Sequence, residues 1–287
     1  FLASTVVRAA GDVYPKAGWT NGPNPLAGRE AVVGGNITVF WGQSPKSFNY
    51  YLDNNVYSAE MFAFMYETLL STDPLTVEYT PGLAKRWTLS EDRRAITFVM
   101  DKRARWSDGE PITAHDVAWT YNAIMDPKHL TGPHKVSLER FDPPEVLSDT
   151  TIRFHAREVH WQNLGAAGGF HVLPRHAMKD RDFNKINFEF PVISGPYRLQ
   201  EFKENQFLRM QRRADWWGRQ DPRNRNIGNF ETITFRFFAE RENAFEAFRK
   251  GQIDLFPIYT ARLWVKETTG ERFKKNWIVR RKIQNQH

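Results

Sequence analysis

The chain is 287 residues long, 41% hydrophobic and 25% charged, the balance of a folded globular protein rather than a disordered one. It has no Cys, which excludes disulfides and thiolate metal sites. The formal charge is +7, yet the 40 Lys and Arg are dispersed among 33 Asp and Glu in short runs such as Arg93-Arg94, Arg212-Arg213 and Arg280-Arg281-Lys282, which reads as a solvated surface and not as a nucleic-acid stripe.

Residues 1–34 are rich in Gly, Pro and Ala with weak periodicity and read as an extended N-terminal arm. The start, Phe1-Leu2-Ala3-Ser4, lacks Met and a full signal peptide and has the look of a mature or trimmed end. Residues 36–41 alternate as a strand, and 43–55 read as a loop. Residues 59–70 are expected to be a helix with Phe62, Met65, Tyr66 and Leu69 on one face. Residues 95–100 mix β-branched and aromatic side chains and read as a half-buried strand. Trp106-Ser107-Asp108-Gly109 is a turn, with Gly109 free to take positive φ.

A helix is then expected to start at Thr113, in a capping box with Asp116 in place of the usual Glu or Gln. Val117, Tyr121 and Ile124 recur at helical spacing, and Asp126-Pro127 ends the run. Residues 150–154 read as a strand and 165–169 as a turn of small residues. Residues 197–211 read as a hairpin around Glu204-Asn205, and 231–238 as a strand alternating through Ile233, Phe235 and Phe237. Residues 240–249 read as a helix stopped by Gly251, and 253–256 as a short strand. Strands and helices that alternate in this way favour an α/β architecture.

The chemistry of catalysis is missing. The eight His give no H-E-x-x-H and no helical metal pair, and Pro174 separates His171 from His176. There is no G-x-S-x-G elbow and no Gly-rich phosphate loop. No enzyme, cofactor or metal site is expected, and no apolar run reaches the ~18 residues needed to span a membrane. The aromatic content, with 22 Phe and 10 Trp, is enough for a large core and for some rings lining a binding cleft.

The residues 83–127 carry a long pattern: Ala84, Trp87, Ser90, Asp92, Phe98, Ala104, Trp106, Ser107, Asp108, Gly109, Pro111, Thr113, Ala114, Asp116 and Val117. It resembles the solute-binding proteins of oligopeptide, dipeptide and nickel ABC importers (family 5). The resemblance continues through Ser194-Gly195-Pro196-Tyr197, Arg212 to Trp217, Asn229 to Ile233, Ala244 to Phe248 and Gly251 to Leu255. Ser47-Phe48-Asn49, His160-Trp161 and Asn276-Trp277 resemble most the branch that imports microcin-C-like peptides.

The resemblance implies an α/β, periplasmic-binding-protein-like, two-lobed fold of the class II type. Here it would be mainly the first lobe: a sheet-bearing part at 35–59 and 171–287, and an inserted α+β subdomain at 60–170. The second lobe, the return strands and the carboxylate that grips a peptide amino terminus would lie outside this chain. It implies a periplasmic protein, signal peptide removed and monomeric when full-length. Such a protein captures a peptide or peptide-like solute and delivers it to an inner-membrane ABC permease. Oligosaccharide and opine binders share the fold, and a glycan-acting surface protein is the reading from another class.

The resemblance also places ligand contacts at Asn54, Asn55, Val56 and Tyr57, although the two Asn equally suit the cap of a helix beginning near Ser58. It adds Phe256 and Tyr259, which equally suit a core, Phe170 and His171 on a segment running toward the cleft, and His134 in a loop that reaches the ligand in some members.

Overall fold

The computed structural model describes residues 11–16, 22–53 and 55–280. In chain order the strands are β1 (Asp12–Tyr14), β2 (Asn36–Trp41), β3 (Leu70–Thr72), β4 (Tyr79–Pro81), β5 (Ala84–Leu89), β6 (Ala95–Met100), β7 (Glu145–Ser148), β8 (Thr151–His155), β9 (Tyr197–Lys203), β10 (Phe207–Arg212) and β11 (Thr232–Phe237). The helices are α1 (Val56–Met65), α2 (Ala114–Met125), α3 (Gly132–Leu138), α4 (Asn163–Gly168), α5 (Arg175–Met178), α6 (Arg241–Arg249) and α7 (Glu271–Lys274). They fall into two compact units, one built from 1–29, 45–198 and 213–227, the other from 30–44, 199–212 and 228–287.

The first unit holds a five-stranded antiparallel sheet in the order β1-β5-β6-β8-β7. The N-terminal arm thus supplies a strand, with Tyr14 stacked on Trp87 at 5.8 Å. Period-2 alternation turns Ile96, Phe98 and Met100 of β6 and Ile152 and Phe154 of β8 inward. Helix α2 lays Val117, Tyr121 and Ile124 on the core, and the Tyr121 hydroxyl donates to the Phe141 carbonyl at 3.0 Å. Burying each such apolar side chain stabilises the fold by roughly 1.5–3 kcal/mol. The start of α2 is the expected one: Thr113 is its N-cap, and its backbone N–H donates to the Asp116 carboxylate at 2.8 Å.

The expected helix over 59–70 is shorter and earlier than its pattern suggests. Helix α1 begins at Val56, because Asn55 caps it, and stops at Met65, because Tyr66 is extended with φ −123° and ψ 133°. Distant partners take over the backbone there. The Ser194 and Gly195 N–H groups donate to the Met65 carbonyl, Val172 N–H to Glu67, and Leu83 N–H to Thr68. The second difference is the small-residue turn expected at 165–169, most of which lies in helix α4 (Asn163–Gly168). Its smallness serves packing: a Cβ on Gly168 would come within 2.6 Å of the Leu70 side chain.

The second unit holds a four-stranded sheet in the order β2-β11-β10-β9. Strand β2 runs parallel to β11, with Trp41 stacked on Phe235 at 3.8 Å, and β10 is antiparallel to β11. The expected hairpin turns at Asn205, which takes φ 57°. Helix α6 packs Ala244, Phe245 and Ala247 against Phe40, Ile253, Phe256 and Leu263, and Gly251 follows it at φ +75°. The expected strand at 253–256 is reduced to one bridge, Val39 with Leu255.

Candidate ligand-binding site

The loop before α1 is fixed by its own hydrogen bonds. The Asp53 carboxylate is buried and accepts from Lys46 N–H at 2.7 Å and from the Ser58 hydroxyl at 2.6 Å. Asn55 accepts from Ser58 N–H at 2.9 Å and donates to Asp53 at 2.7 Å. Asn55 is therefore occupied as a cap, Val56 is exposed and Tyr57 half-buried. Asn54 lies outside the described residues.

Two cavities open in the first unit. One, of about 480 Å³, is walled by Tyr50, Tyr51, Tyr79, His134, Trp161 and Phe170. It unites two expected residues, His134 of α3 and Phe170. The His134 ring meets Tyr51 edge-on at 4.9 Å, burial pushes His134 below its usual pKa, and its Nε2 is buried with no hydrogen-bond partner among the described residues. Burial also pushes the Tyr50 and Tyr51 hydroxyls up, so both stay neutral donors. The Tyr51 hydroxyl donates to the His171 carbonyl at 2.5 Å, and the Tyr50 ring stands against the His171 ring at 4.7 Å.

His171 itself lines the second cavity, of about 590 Å³. Its Nδ1 lies 2.7 Å from the Tyr66 carbonyl, so that nitrogen carries the proton. Burial pushes its pKa down to about 4, and the ring is neutral at physiological pH. Opposite stand Glu67, Trp216, Trp217, Asp221 and Arg223. The Trp217 indole N–H donates to Glu67 Oε2 at 2.8 Å. Burial pushes Glu67 up to about 7, against the pull of the Trp217 and Trp216 N–H groups and of Arg213. Arg223 is paired with Asp221.

The remaining expected residues are in the second unit. Phe256 is core, 5.4 Å from Phe40 and 5.5 Å from Phe245. Tyr259 is 82% exposed, with the Arg241 guanidinium 4.8 Å from its ring centre. Among the described residues no group of three or more His, Asp or Glu is placed to hold a metal ion. No helix there is long and apolar enough to cross a membrane.

The model of the bacterial extracellular solute-binding proteins, family 5 (middle), matches residues 78–281. The chain belongs to that family. It is 28% identical over 257 residues to a binding protein of Brucella melitensis biotype 1, covering 86% of this chain and 41% of that relative. It is 28% identical over 207 residues to the peptidoglycan-binding protein YepA of Agrobacterium fabrum, covering 70% of this chain and 33% of YepA. Among solved structures it is similar to the ABC transporter substrate-binding protein CtaP of Listeria monocytogenes, with a TM-score of 0.63 and 25% identity over 77% of this chain and 44% of CtaP. The chain thus spans less than half the length of each of these three relatives.

The two cavities of this family 5 chain also hold residues that sequence reasoning passed over. Tyr50 and Tyr51 fell inside a stretch read as loop, although two adjacent Tyr in a polar loop are themselves a signal of an aromatic wall. Glu67 was assigned to the interior of a helix that ends before it. Trp216 and Trp217 stood in a matched family segment without a role.

Proposed function

We propose that this chain belongs to the solute-binding component of an ABC importer, which captures a peptide or peptide-like solute in the periplasm and delivers it to an inner-membrane permease. In this reading the complete protein works as a monomer. The observation that carries the reading is the cavity that joins His134 and Phe170 to Tyr50, Tyr51 and Trp161. Rigid rings bind a ligand at low entropy cost, and a neutral His and the Tyr50 hydroxyl supply a few oriented polar contacts. Such a wall binds and releases its solute unchanged, as an importer requires. The match to family 5 and the likeness to CtaP support the reading.

An oligosaccharide is the second reading. Trp161, 82% exposed at the cavity, offers a face on which a sugar ring can stack. Peptidoglycan, which the name of YepA specifies for that protein, contains both sugars and peptides. Native mass spectrometry of the complete protein purified without denaturation tests both. A co-purified peptide mass is the expected result, a saccharide mass selects the second reading, and steady turnover of either class overturns both.

A further inference from the structure

The larger of the two cavities is lined by more acids than free cations. Around it stand Glu67, Asp73, Asp221, Arg223 and His171. The Arg223 charge is spent on Asp221, to which it is hydrogen-bonded through Nε at 2.9 Å. His171 is neutral, because burial holds its pKa at about 4. Arg213, whose charge reaches Glu67, is itself buried against Asp215 and the carbonyls of Ser194 and Gly195. The N–H groups of Thr76 and Leu75 hold Asp73 ionised. What remains on the wall of a chain of net charge +7 is negative: Asp73 and the Glu67 carboxylate.

We propose that this cavity takes a positively charged group of the solute, an ammonium or a guanidinium, with Glu67 as its counter-ion and Trp216 and Trp217 as its walls. The proposal deepens the solute-binding reading above and rests on it. Three features argue for it. Glu67 accepts the Trp217 indole N–H through Oε2, and a carboxylate with about four lone-pair sites keeps acceptors for a donor-rich cation. Indoles are the best aromatic partners of a cation, at ~0.5–2 kcal/mol each. A half-buried carboxylate with no cationic partner of its own bears a desolvation cost that a bound cation removes. An anionic or purely apolar ligand would add to that cost instead.

The carboxylate is held near neutrality by burial, so binding of a cation should pull it into the ionised form. Affinity then falls as the pH drops through about 7 and Glu67 becomes protonated.

The test uses the full chain and two probes that differ by one charge, Nα-acetyl-lysine amide and Nα-acetyl-norleucine amide, followed by calorimetry and by the fluorescence of the cavity tryptophans. At about pH 8 the lysine probe should bind at least about tenfold tighter than the norleucine probe. The preference should shrink below about threefold at about pH 5.5, and at about pH 8 in Glu67→Gln, whose amide oxygen still accepts from Trp217 so that the fold is kept and the melting temperature is no lower than that of the wild type. Equal binding of the two probes, a preference that survives in Glu67→Gln, or no binding of the lysine probe overturns the proposal. A co-purified solute without a cationic group would also overturn it, and would leave the importer reading standing.

Discussion

The Asp116 carboxylate accepts the backbone N–H of Arg175 at 3.0 Å through one oxygen while the other closes the cap of its own helix on Thr113. One side chain thereby joins the start of α2 to the start of α5, 59 residues later.

Asp116→Ala should therefore cost more than an ordinary cap. The cap itself is worth about 1 kcal/mol, and the orphaned Arg175 N–H adds ~1–2 kcal/mol. Urea denaturation should show a loss of about 2–3 kcal/mol, with Asp116→Asn near the lower end of that range. A loss below about 0.5 kcal/mol would mean that the link to Arg175 is idle.

Trp106 is 1% exposed in the turn before α2, and its backbone N–H donates to the Glu110 carbonyl at 2.8 Å. It is a structural residue, and Trp106→Ala should destabilise the first unit by roughly 3–5 kcal/mol. Thermal melts decide it. An unchanged melting temperature would refute the packing role.

The segment from Trp106 to Met125 was legible in the sequence because every determinant is local: a Gly turn, a cap and helical spacing within one stretch. The end of α1 was not, because the Met65 carbonyl accepts from Ser194 and Gly195 and the Glu67 backbone pairs with Ser194 and Val172, none of which a sequence window can see. The parallel pairing of β2 with β11 is hidden for the same reason. Small residues at 165–169 signal a loop by composition, whereas Tyr79 against Gly165 and Leu70 against Gly168 are what require those two small. Of the cavity residues, His134, Phe170 and His171 were named through resemblance. Tyr50, Tyr51 and Glu67 were not found, because their importance comes from burial, which spacing does not reveal.

Phe256 and Tyr259 are three residues apart and should behave oppositely. Phe256→Ala empties a site packed between Phe40, Phe245 and Phe248 and should cost roughly 3–5 kcal/mol. Tyr259→Ala, at an exposed position, should stay within about 0.5 kcal/mol. If Tyr259→Ala instead weakens solute binding in the complete protein at unchanged stability, the contact expected there from resemblance is real.

His171 predicts an acid-labile fold. Its pKa is lowered from 6.5 to about 4 in the folded protein, so its neutral form is fully stabilising above pH 6.5. That contribution is lost as pH falls toward 4, because the unfolded chain takes up the proton first. His134, lowered in the same direction, adds to the slope. Melting temperatures across this window should fall with pH less steeply in His171→Gln than in the wild type. An unchanged slope would show that the ring is not held neutral.

Glu67 predicts the opposite slope at higher pH. Burial raises its pKa from 4.5 to about 7, so the protonated form is the one the fold favours. Its stabilising contribution is complete below pH 4.5 and is lost as pH rises through about 7, since the unfolded chain releases the proton more readily. Glu67→Gln mimics the protonated state and keeps an acceptor for the Trp217 indole. It should therefore match the wild type in acid and exceed it in melting temperature above neutrality. Trp217→Phe, which removes the donor, should push the midpoint of the Glu67 titration higher still, as followed by carboxyl chemical shift. A Glu67→Gln variant whose melting curve runs parallel to the wild type from acid to alkaline pH would show that the carboxylate is solvated as an ordinary surface group, with no desolvation cost for a bound cation to remove.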